Sequence, residues 1–361
     1  MARIAIIGAG GVIFSQNLIK DILLDETLRK TSEVVLMDID QGRLDLAVKF
    51  GEIISGKLNV EFHPVATTNL REALKGADYV VTIFRSGTIE LQEIEYSIPK
   101  KYGMDQVVAD SMGPGGIFRG LRTLKDLFEV LDTMEEVCPG AYLLNYVNPM
   151  SMNTIALSRR AKTVKVIGLC HSVRGTLHTL SNYLGIDAKT VRYYAAGVNH
   201  QAFMLKFEQN GENLYPKIRE LLNKPEVYKK DKVRFEILRH FDYFPTESSG
   251  HGSEYIPYIR KRQDLIDKFC SCDYPDISDG INWATMSAGV SGASVQICRG
   301  LQKRNLKHIE EYLNGTREID LKNSGEYCIE VIGAIEKNET FSANLNVINN
   351  GLIPTLPPGA A

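Results

Sequence analysis

In the first half of the chain, short apolar runs rich in β-branched residues alternate with segments whose apolar residues recur at helical spacing. The helical spacing predicts helices over residues 12–24 and 119–134. The short runs predict strands over residues 3–7, 33–37, 77–83, 141–145 and 164–169. This alternation is typical of an α/β domain with a parallel, doubly wound sheet, in which helices connect neighbouring strands.

A glycine-rich turn separates the first predicted strand from the first predicted helix. Gly8 allows a tight turn, Gly10 leaves room for the backbone to approach a pyrophosphate, and a helix that begins near Gly11 directs its positive end there. Ile13 stands where the third glycine of the dinucleotide fingerprint is expected. The turn indicates a dinucleotide site, although similar glycine turns join strands to helices in folds that bind no nucleotide.

An acidic residue after the second strand commonly accepts hydrogen bonds from the ribose of a bound dinucleotide. Asp38 and Asp40 both occupy this place in the sequence. We prefer Asp38, which is nearer the strand terminus, and keep Asp40 as the alternative; either could also be a solvated strand end. The predicted cofactor-binding set further includes Arg43 and Asn145.

Ligands of a doubly wound sheet bind at the carboxyl ends of its strands, so polar residues just beyond each strand are candidates for a site. They occur at residues 84–87, at residues 145–148, and at Cys170 and His171. Residues 110–116 are too rich in glycine for a helix interior and predict a loop. That loop either brings backbone close to a ligand or is a plain turn.

Two possible metal ligands follow predicted strands. Cys170 comes directly after the run 164–169, and His200 comes after the run 191–198. A thiolate and an imidazole at two strand ends can share a divalent ion and leave positions open for substrate hydroxyls. The alternative is that the cysteine is a small buried apolar residue and the histidine a satisfied polar one.

A later segment, residues 244–251, concentrates ionisable and hydroxyl side chains without a clear apolar period. Tyr243 and Tyr255 flank it. We expect this segment to be a loop. It could supply a general base to a nearby site, or it could be a polar surface loop.

Composition narrows the class of protein. Of 361 residues, 24% are charged and 44% belong to the hydrophobic set, which excludes a disordered or fibrous chain, and the length favours two domains. The formal net charge of −2 predicts no general attraction to nucleic acid or to an anionic membrane.

The six cysteines lack the spacing of a disulfide scaffold. Neither a membrane-spanning stretch nor a leader pattern is recognisable, so we expect a cytoplasmic protein.

A series of ordered motifs runs through the chain. They are Gly8-Ala9-Gly10, Met37-Asp38-Ile39-Asp40, Ala109-Asp110-Ser111-Met112-Gly113-Pro114-Gly115-Gly116, Asn145-Tyr146-Val147-Asn148-Pro149-Met150, Cys170-His171-Ser172-Val173 and Gly197-Val198-Asn199-His200. Together they resemble glycoside hydrolase family 4, and the resemblance covers the whole chain. Within that family, the segments 170–173 and 246–249 are similar to those of the melibiase-type α-galactosidases.

The resemblance implies an unusual hydrolysis, an exception to the two-carboxylate scheme of most glycosidases. A tightly held NAD+ takes hydride from C3 of the sugar, which acidifies the proton on C2. A base removes that proton while a divalent metal, usually Mn2+, stabilises the enediolate. The glycosidic bond then breaks by elimination, water adds at C1 and the hydride returns, so no net oxidation occurs.

The resemblance also assigns roles to residues of this chain. Cys170 and His200 are expected to bind the metal, and Asn148 and Asn199 to hold sugar hydroxyls near it. The expected NAD-binding residues include Gly8, Gly10, Gly11 and Asp38.

Further substrate and catalytic residues are expected in the loops. Asp110 and Arg85 are predicted to bind the substrate, and His171 to contact it or assist the leaving group. Relatives take the base at C2 from this segment, where they use a tyrosine or an aspartate. In this chain Glu247 is preferred as the base over Tyr243. A carboxylate is ionised near neutral pH, whereas a tyrosine with an ordinary pKa of about 10 would need activation by the metal.

Family membership implies an architecture like that of lactate and malate dehydrogenases. We expect a Rossmann-like NAD-binding domain over residues 1–190, followed by a mixed α+β metal and substrate domain over residues 191–361. The second domain is expected to be truncated, because the family pattern normally continues beyond residues 351–361. Residues 273–300, which include Trp283, match no family segment that we can place. Relatives form homodimers or homotetramers, and the same is expected here.

The substrate stays open within the family. The motif at 170–173 favours α-galactosides such as melibiose, with α-galacturonides as the second choice and 6-phosphorylated glycosides as the third. A hydroxy-acid or sugar dehydrogenase would share the sheet and the glycine turn, but it gives no reason for the pair Cys170 and His200. A binding module that holds NAD without catalysis is a further alternative.

Overall fold

The computed structural model describes residues 1–274 and 276–360. The chain divides into two compact units, each assembled from separate stretches. The first unit contains Met1–Ser86, Gly120–Leu169 and the chain from Lys303 onward, and the second contains Gly87–Arg119 and Cys170–Gln302. The two units are therefore not separated at residues 190 and 191, because each takes residues from both sides of that point. That residues 1–190 bind NAD and residues 191–361 bind the metal and the substrate stays a prediction.

Strands pair into a parallel sheet in the first unit and into small antiparallel sheets in the second. In chain order they are β1 (Ala2–Ile7), β2 (Ser32–Met37), β3 (Val65–Thr67), β4 (Tyr79–Thr82), β5 (Tyr142–Asn145), β6 (Lys165–Gly168), β7 (Val191–Val198), β8 (Gln201–Gln209), β9 (Glu212–Asn213), β10 (Phe244–Pro245), β11 (Ile277–Ser278) and β12 (Ile281–Asn282).

The helices connect and cover these strands. They are α1 (Val12–Leu24), α2 (Glu26–Thr31), α3 (Gln41–Leu58), α4 (Leu70–Leu74), α5 (Ile89–Lys100), α6 (Gly113–Val137), α7 (Met150–Arg160), α8 (Ser172–Leu184), α9 (Tyr215–Glu220), α10 (Pro225–Tyr228), α11 (Lys232–Phe241), α12 (Ser249–Tyr255), α13 (Gln263–Phe269), α14 (Trp283–Ala288), α15 (Ala293–Leu313) and α16 (Tyr327–Glu336). Among the helices described, none has the length and apolar character needed to cross a bilayer.

The parallel sheet of the first unit has the strand order β3-β2-β1-β4-β5-β6. Both of its faces are buried, because alternate residues of β1 enter two different apolar clusters: Ile4 and Ile6 join one, and Ala5 and Ile7 join the other. Burial on both faces explains why these strands are continuous apolar runs. The strand order reverses between β1 and β4, which is the switch point where a Rossmann-like sheet binds its ligand. The predicted fold class is confirmed for this unit.

The second unit is mixed α+β, as predicted. Its main sheet has the order β10-β8-β7, with β9 on the other end of β8. β7 and β8 form an antiparallel hairpin that pairs Val191 with Gln209 at one end and Val198 with Gln201 at the other. Helices cover one face of this sheet around fully buried aromatic side chains, among them Phe207, Phe235 and Phe244.

The glycine-rich stretch at residues 110–116 differs from the prediction. It is not a loop throughout, because α6 begins at Gly113 rather than near residue 119. A Cβ on Gly115 would lie 2.5 Å from the carbonyl oxygen of Ala109, and one on Gly116 would lie 2.6 Å from the carbonyl carbon of Ser111. The glycines therefore allow the first turn of the helix to pack on the preceding loop, and Pro114 suits the start of a helix.

We expect Gly115→Ala to lower the free energy of unfolding by about 1–3 kcal/mol, because the added methyl group overpacks the turn. Gly175→Ala in α8 is the matched control, since its Cβ would meet nothing within 4 Å, and alanine there favours the helix by up to about 1 kcal/mol. Thermal and chemical denaturation of both variants measure the difference. Equal stability of the two variants would contradict the close packing at Gly115.

Candidate active site

The glycine turn after β1 has the geometry that only glycine adopts easily. Gly8 has a φ of 93°, and a Cβ there would lie 2.7 Å from Cβ of Phe84, the second residue after β4. A Cβ on Gly10 would lie 2.6 Å from Cβ of Arg43. Gly11 precedes α1, and no side chain caps that end of the helix. The glycines therefore allow the turn to pack closely on Phe84 and Arg43, and the start of α1, which no side chain caps, can offer helix amide groups to a ligand.

The two acidic candidates after β2 have different contacts. Asp38 accepts hydrogen bonds from the backbone N–H of Gly10 at 2.8 Å and from that of Asp40 at 3.0 Å. Asp40 instead caps α3 by accepting from the backbone N–H of Arg43 at 3.1 Å. The backbone N–H of Gly10 is thus hydrogen-bonded to Asp38 and is not, as the sequence had led us to expect, directed at a pyrophosphate. The carboxylate of Asp38 lies against the glycine turn, whereas Asp40 and Arg43 are exposed at the start of α3.

Asn145, Asn148 and Arg85 all belong to the first unit. Asn145 is fully buried at the end of β5, where Thr82 donates to its Oδ1 at 2.8 Å and its Nδ2 donates to the carbonyl of Val147 at 3.1 Å. Its amide therefore ties the loop after β5 to β4. Asn148 is half-buried in that loop, and Arg85 is exposed after β4.

Three potential metal ligands converge in the second unit. The ligating atoms of Cys170, His200 and Glu247 all lie within 4.8 Å of one another. His200 Nε2 is 3.4 Å from Glu247 Oε1, and Cys170 Sγ is 3.8 Å from the same oxygen. Three residues that are distant in sequence, one shortly before α8, one in the hairpin turn between β7 and β8, and one after β10, thus form one cluster. A thiol, an imidazole and a carboxylate are a suitable donor set for a divalent ion.

His200 is held in one orientation. It occupies the two-residue turn between β7 and β8 with a φ of 62°, a left-handed conformation that is uncommon outside glycine. Its Nδ1 is 2.8 Å from the hydroxyl of Tyr255. Burial lowers the pKa of His200, so the ring is neutral near pH 7. Pairing of Nδ1 with the tyrosine leaves Nε2 directed at Glu247, which is the arrangement of a metal-binding imidazole.

Cys170 is half-buried, with its thiol close to the carboxylate of Glu247. Burial, reinforced by the nearby charge of Glu247, raises the pKa of Cys170 to about 11. The side chain of Asn199 forms a hydrogen bond with this thiol and acts in the opposite direction. Without a cation, the cysteine is therefore protonated at neutral pH, and a divalent ion would have to displace that proton.

A second carboxylate of this unit is held in its ionised form. Asp110 is buried, with its Oδ2 3.5 Å from Nη1 of Arg119. Burial alone would raise the pKa of Asp110, but Arg119, followed by His251 and His200, lowers it overall. The hydroxyl of Ser111 donates to the carboxylate at 2.9 Å. An ionised carboxylate in this position can accept hydrogen bonds from sugar hydroxyls.

The segment predicted to be a loop at residues 244–251 is folded. Phe244–Pro245 pairs with β8, and Ser248 caps α12 by accepting from the backbone N–H of His251. Glu247, His251 and Tyr255 are spaced four residues apart and share one side of this turn and helix. His251 Nδ1 lies 3.5 Å from Glu247 Oε2. His251 was not among the residues predicted from the sequence, although its spacing from Glu247 and Tyr255, at i, i+4 and i+8, was the signal.

Two of the predicted catalytic residues are exposed, unlike the buried Glu247. Tyr243 is 42% exposed and packs edge-on against Tyr215, with ring centroids 5.7 Å apart. His171 is exposed at the residue before α8. Of the candidates for the base at C2, Glu247 is thus the one in contact with the metal-ligand candidates.

Comparison with known proteins identifies relatives across the whole chain. A sequence model of the family 4 glycosyl hydrolases matches residues 3–186, and a model of that family's C-terminal domain matches residues 195–361. The second range includes residues 273–300, which the sequence analysis left without a family counterpart. Two α-galactosidases are similar: that of Bacillus subtilis (36% identity, 100% of this chain, 79% of the relative) and that of Rhizobium meliloti (33%, 99% and 71%).

Solved structures agree in fold. A 6-phospho-α-glucosidase from gut microorganisms, solved with NAD and Mn2+, superposes with a TM-score of 0.78 at 20% identity and covers 99% of this chain and 80% of its own. The 6-phospho-β-glucosidase of Thermotoga maritima, solved with manganese, NAD+ and glucose-6-phosphate, gives 0.71 at 22% identity, with 99% and 78% covered. Because family models match both halves and two relatives exceed 30% identity over nearly the whole length, the chain belongs to glycosyl hydrolase family 4, whose members hydrolyse glycosidic bonds.

Proposed function

We propose that this protein is an α-galactosidase that depends on NAD+ and a divalent metal, with Mn2+ as the expected ion. The observation that carries the proposal is the convergence of Cys170, His200 and Glu247 in a chain whose relatives include α-galactosidases at 36% and 33% identity. A dehydrogenase would share the parallel sheet but would have no use for this cluster. A cytoplasmic location and a homodimeric or homotetrameric assembly are further proposals that rest on the family resemblance.

The described residues fit a divalent ion. His200 is neutral and presents Nε2, and Cys170 becomes an anionic ligand once its proton is displaced. A pair of cysteine and histidine alone would favour soft ions, so Mn2+ is proposed from the family, and the nearby carboxylate of Glu247 adds negative charge that favours a divalent cation. The two proposed ligands are Cys170 and His200, and Glu247 is proposed as the neighbouring base.

The first unit fits NAD+. The turn at Gly8 and Gly10 has no room for side chains, and the uncapped start of α1 offers amide groups to a pyrophosphate. Asp38 lies against that turn, where its Oδ2 accepts one hydrogen bond from Gly10 and its Oδ1 accepts one from Asp40. Each carboxylate oxygen therefore retains a lone pair for a ribose diol. We therefore keep Asp38 as the proposed ribose ligand and Asp40 as the alternative.

When bound, NAD+ supplies a hydride acceptor for C3 of the sugar and the metal supplies Lewis acidity to the neighbouring oxygens. Glu247 removes the proton from C2; its carboxyl group then exchanges that proton with solvent and protonates C2 after water has added at C1. Asp110 and Asn199 bind sugar hydroxyls. Tyr255 holds the imidazole of His200 in its ligand orientation.

The sugar is proposed from the relatives. The α-galactosidases are the more similar group, and an α-galacturonidase of Thermoanaerobacterium saccharolyticum is 26% identical over 99% of this chain. We propose α-galactosides as substrates first and α-galacturonides second. In this unit, the guanidinium of Arg119 is already paired with Asp110, which leaves it less suited to a substrate carboxylate.

Hydrolysis of p-nitrophenyl α-galactoside is expected only when NAD+ and Mn2+ are both present, in a two-by-two assay under reducing conditions. No net NADH should accumulate at 340 nm, because the hydride returns to the sugar. Activity without either additive, or stoichiometric NADH formation, would contradict the proposal. The corresponding α-galacturonide and 6-phosphorylated glycoside test the alternative substrates in the same format.

Mn2+ binding is expected to weaken by at least about 100-fold in Cys170→Ser and in His200→Asn, because each removes a proposed ligand. Cys298→Ser and His178→Asn are matched controls that change the same residue types elsewhere, and their affinities should stay within about threefold of the wild type. Calorimetric titration measures all four. Glu247→Gln also stays within about threefold if Glu247 is the base, whereas a larger loss would identify it as a third ligand.

Solvent deuterium should enter C2 of the product sugar during hydrolysis in D2O, since C2 is deprotonated and reprotonated. Glu247→Gln is expected to slow this exchange by about 10²- to 10⁴-fold, while Tyr243→Phe stays within about threefold of the wild type. Mass spectrometry and NMR of the product report the label. The reverse order of these two variants would assign the base to Tyr243, and a product without deuterium would exclude the elimination mechanism.

A further inference from the structure

A buried ion pair lies at the start of α11. Asp231 and Arg234 have side chains that are only 3% and 7% exposed. The guanidinium donates to both carboxylate oxygens, at 2.7 Å from Nε to Oδ1 and by a second, shorter contact from Nη2 to Oδ2. Burying two charges costs desolvation energy, so such a pair is weak evidence for a contribution to stability. Its other hydrogen bonds indicate what it does.

One set of hydrogen bonds runs to the residue that begins α12. The hydroxyl of Ser249 donates to Asp231 Oδ1 at 2.8 Å and accepts from the backbone N–H of Arg234 at 3.1 Å. Ser249 is fully buried. The backbone two residues after Glu247 is therefore tied to both members of the ion pair.

A second set runs to the residue just before Glu247. Arg234 Nη1 donates to the hydroxyl of Thr176 on α8 at 3.1 Å, and that hydroxyl in turn donates to the backbone carbonyl of Thr246. Thr246 is also buried, and its N–H donates to the carbonyl of Ala202 on β8 at 2.9 Å. The backbone on both sides of Glu247 is thus tied to one buried guanidinium–carboxylate unit.

We call four residues the clamp: Asp231, Arg234, Thr176 and Ser249. We propose that the clamp positions the carboxylate of Glu247 beside His200 and Cys170, and that its members act as positioning residues for the reaction. The inference rests on the catalytic role proposed for Glu247. This role explains why the costly ion pair of Asp231 and Arg234 is buried. The bidentate geometry of the pair is rigid and fixes the backbone around Glu247, whereas an apolar contact would leave that backbone free to shift.

The size of the expected effect follows from the chemistry of proton abstraction. A base must lie within hydrogen-bond reach of the proton that it removes, and a displacement of about 1 Å can cost on the order of 100-fold in rate. Loss of one link of the clamp should therefore slow the proton transfer while leaving the ligands Cys170 and His200 in place.

Thr176→Val and Ser249→Ala break the two links without leaving an unpaired buried charge. In each, we expect kcat and the rate of deuterium exchange at C2 to fall at least about tenfold, with KM for the α-galactoside and the Kd for Mn2+ changed by less than about threefold. Thr176→Ser keeps the hydroxyl and should restore kcat to within about threefold of the wild type.

Tyr183→Phe is the matched control. The hydroxyl of Tyr183 donates to Asp231 Oδ2 at 3.0 Å, so its removal takes a hydrogen bond from the same carboxylate without touching either link to the Glu247 segment. Its kcat should stay within about threefold of the wild type. The proposal would be overturned if Thr176→Val and Ser249→Ala lowered the melting temperature but kept kcat. It would also be overturned if Tyr183→Phe lost kcat to the same extent as those two variants, since either result would show a merely structural role.

Crystal structures of Thr176→Val and Ser249→Ala give a readout that needs no turnover. The separation between Glu247 Oε1 and His200 Nε2, 3.4 Å in the wild type, should change by about 1 Å or more, or the carboxylate should occupy several positions. An unchanged carboxylate in both variants would overturn the positioning role. If the wild type showed no exchange at C2, the proposed function would fail, and these structures would still decide whether the clamp places Glu247.

Discussion

The structure depends on the burial of ionisable side chains that have to be held close together. Cys170, His200 and Glu247 bring their ligating atoms within 4.8 Å of one another, and the histidine and the glutamate are almost fully buried. Removing such groups from water is costly unless each has a partner of suitable charge or hydrogen-bonding character. The surrounding elements of the second unit supply those partners, and a divalent ion would satisfy the remaining valence of the cluster.

Each member of the cluster is placed by a different local feature of the chain. A two-residue hairpin turn places His200 and accepts a left-handed backbone conformation there, while the hydroxyl of Tyr255 fixes its ring. Cys170 is the first residue of the second stretch of the second unit, two residues before α8. Glu247 stands between a two-residue strand and a short helix, both too small to hold a position by their own backbone hydrogen bonds. The buried pair of Asp231 and Arg234 provides the missing support.

The first unit is built on a regular parallel sheet with a glycine turn after β1. A parallel sheet buried on both faces leaves its strand ends as the place where polar groups can meet a ligand. The turn at Gly8 and Gly10 has no room for side chains, and the carboxylate of Asp38 holds that turn by accepting a hydrogen bond from the backbone N–H of Gly10. The first unit thus has a Rossmann-like sheet, whereas the proposed metal ligands and the proposed base all belong to the second unit.

The sequence by itself determined the parallel sheet, the glycine turn, the family and the ligand candidates Cys170 and His200, because strand periodicity, glycine spacing and short motifs are local signals. Only the tertiary structure decided that Glu247 contacts both candidates, that residues 249–255 are helical despite their glycines, and that α6 begins at Gly113. It also placed His251 beside Glu247 and showed that Asp231 and Arg234 form a buried ion pair. These depend on side chains that are distant in sequence and meet only after folding, where burial and hydrogen bonding outweigh local propensity.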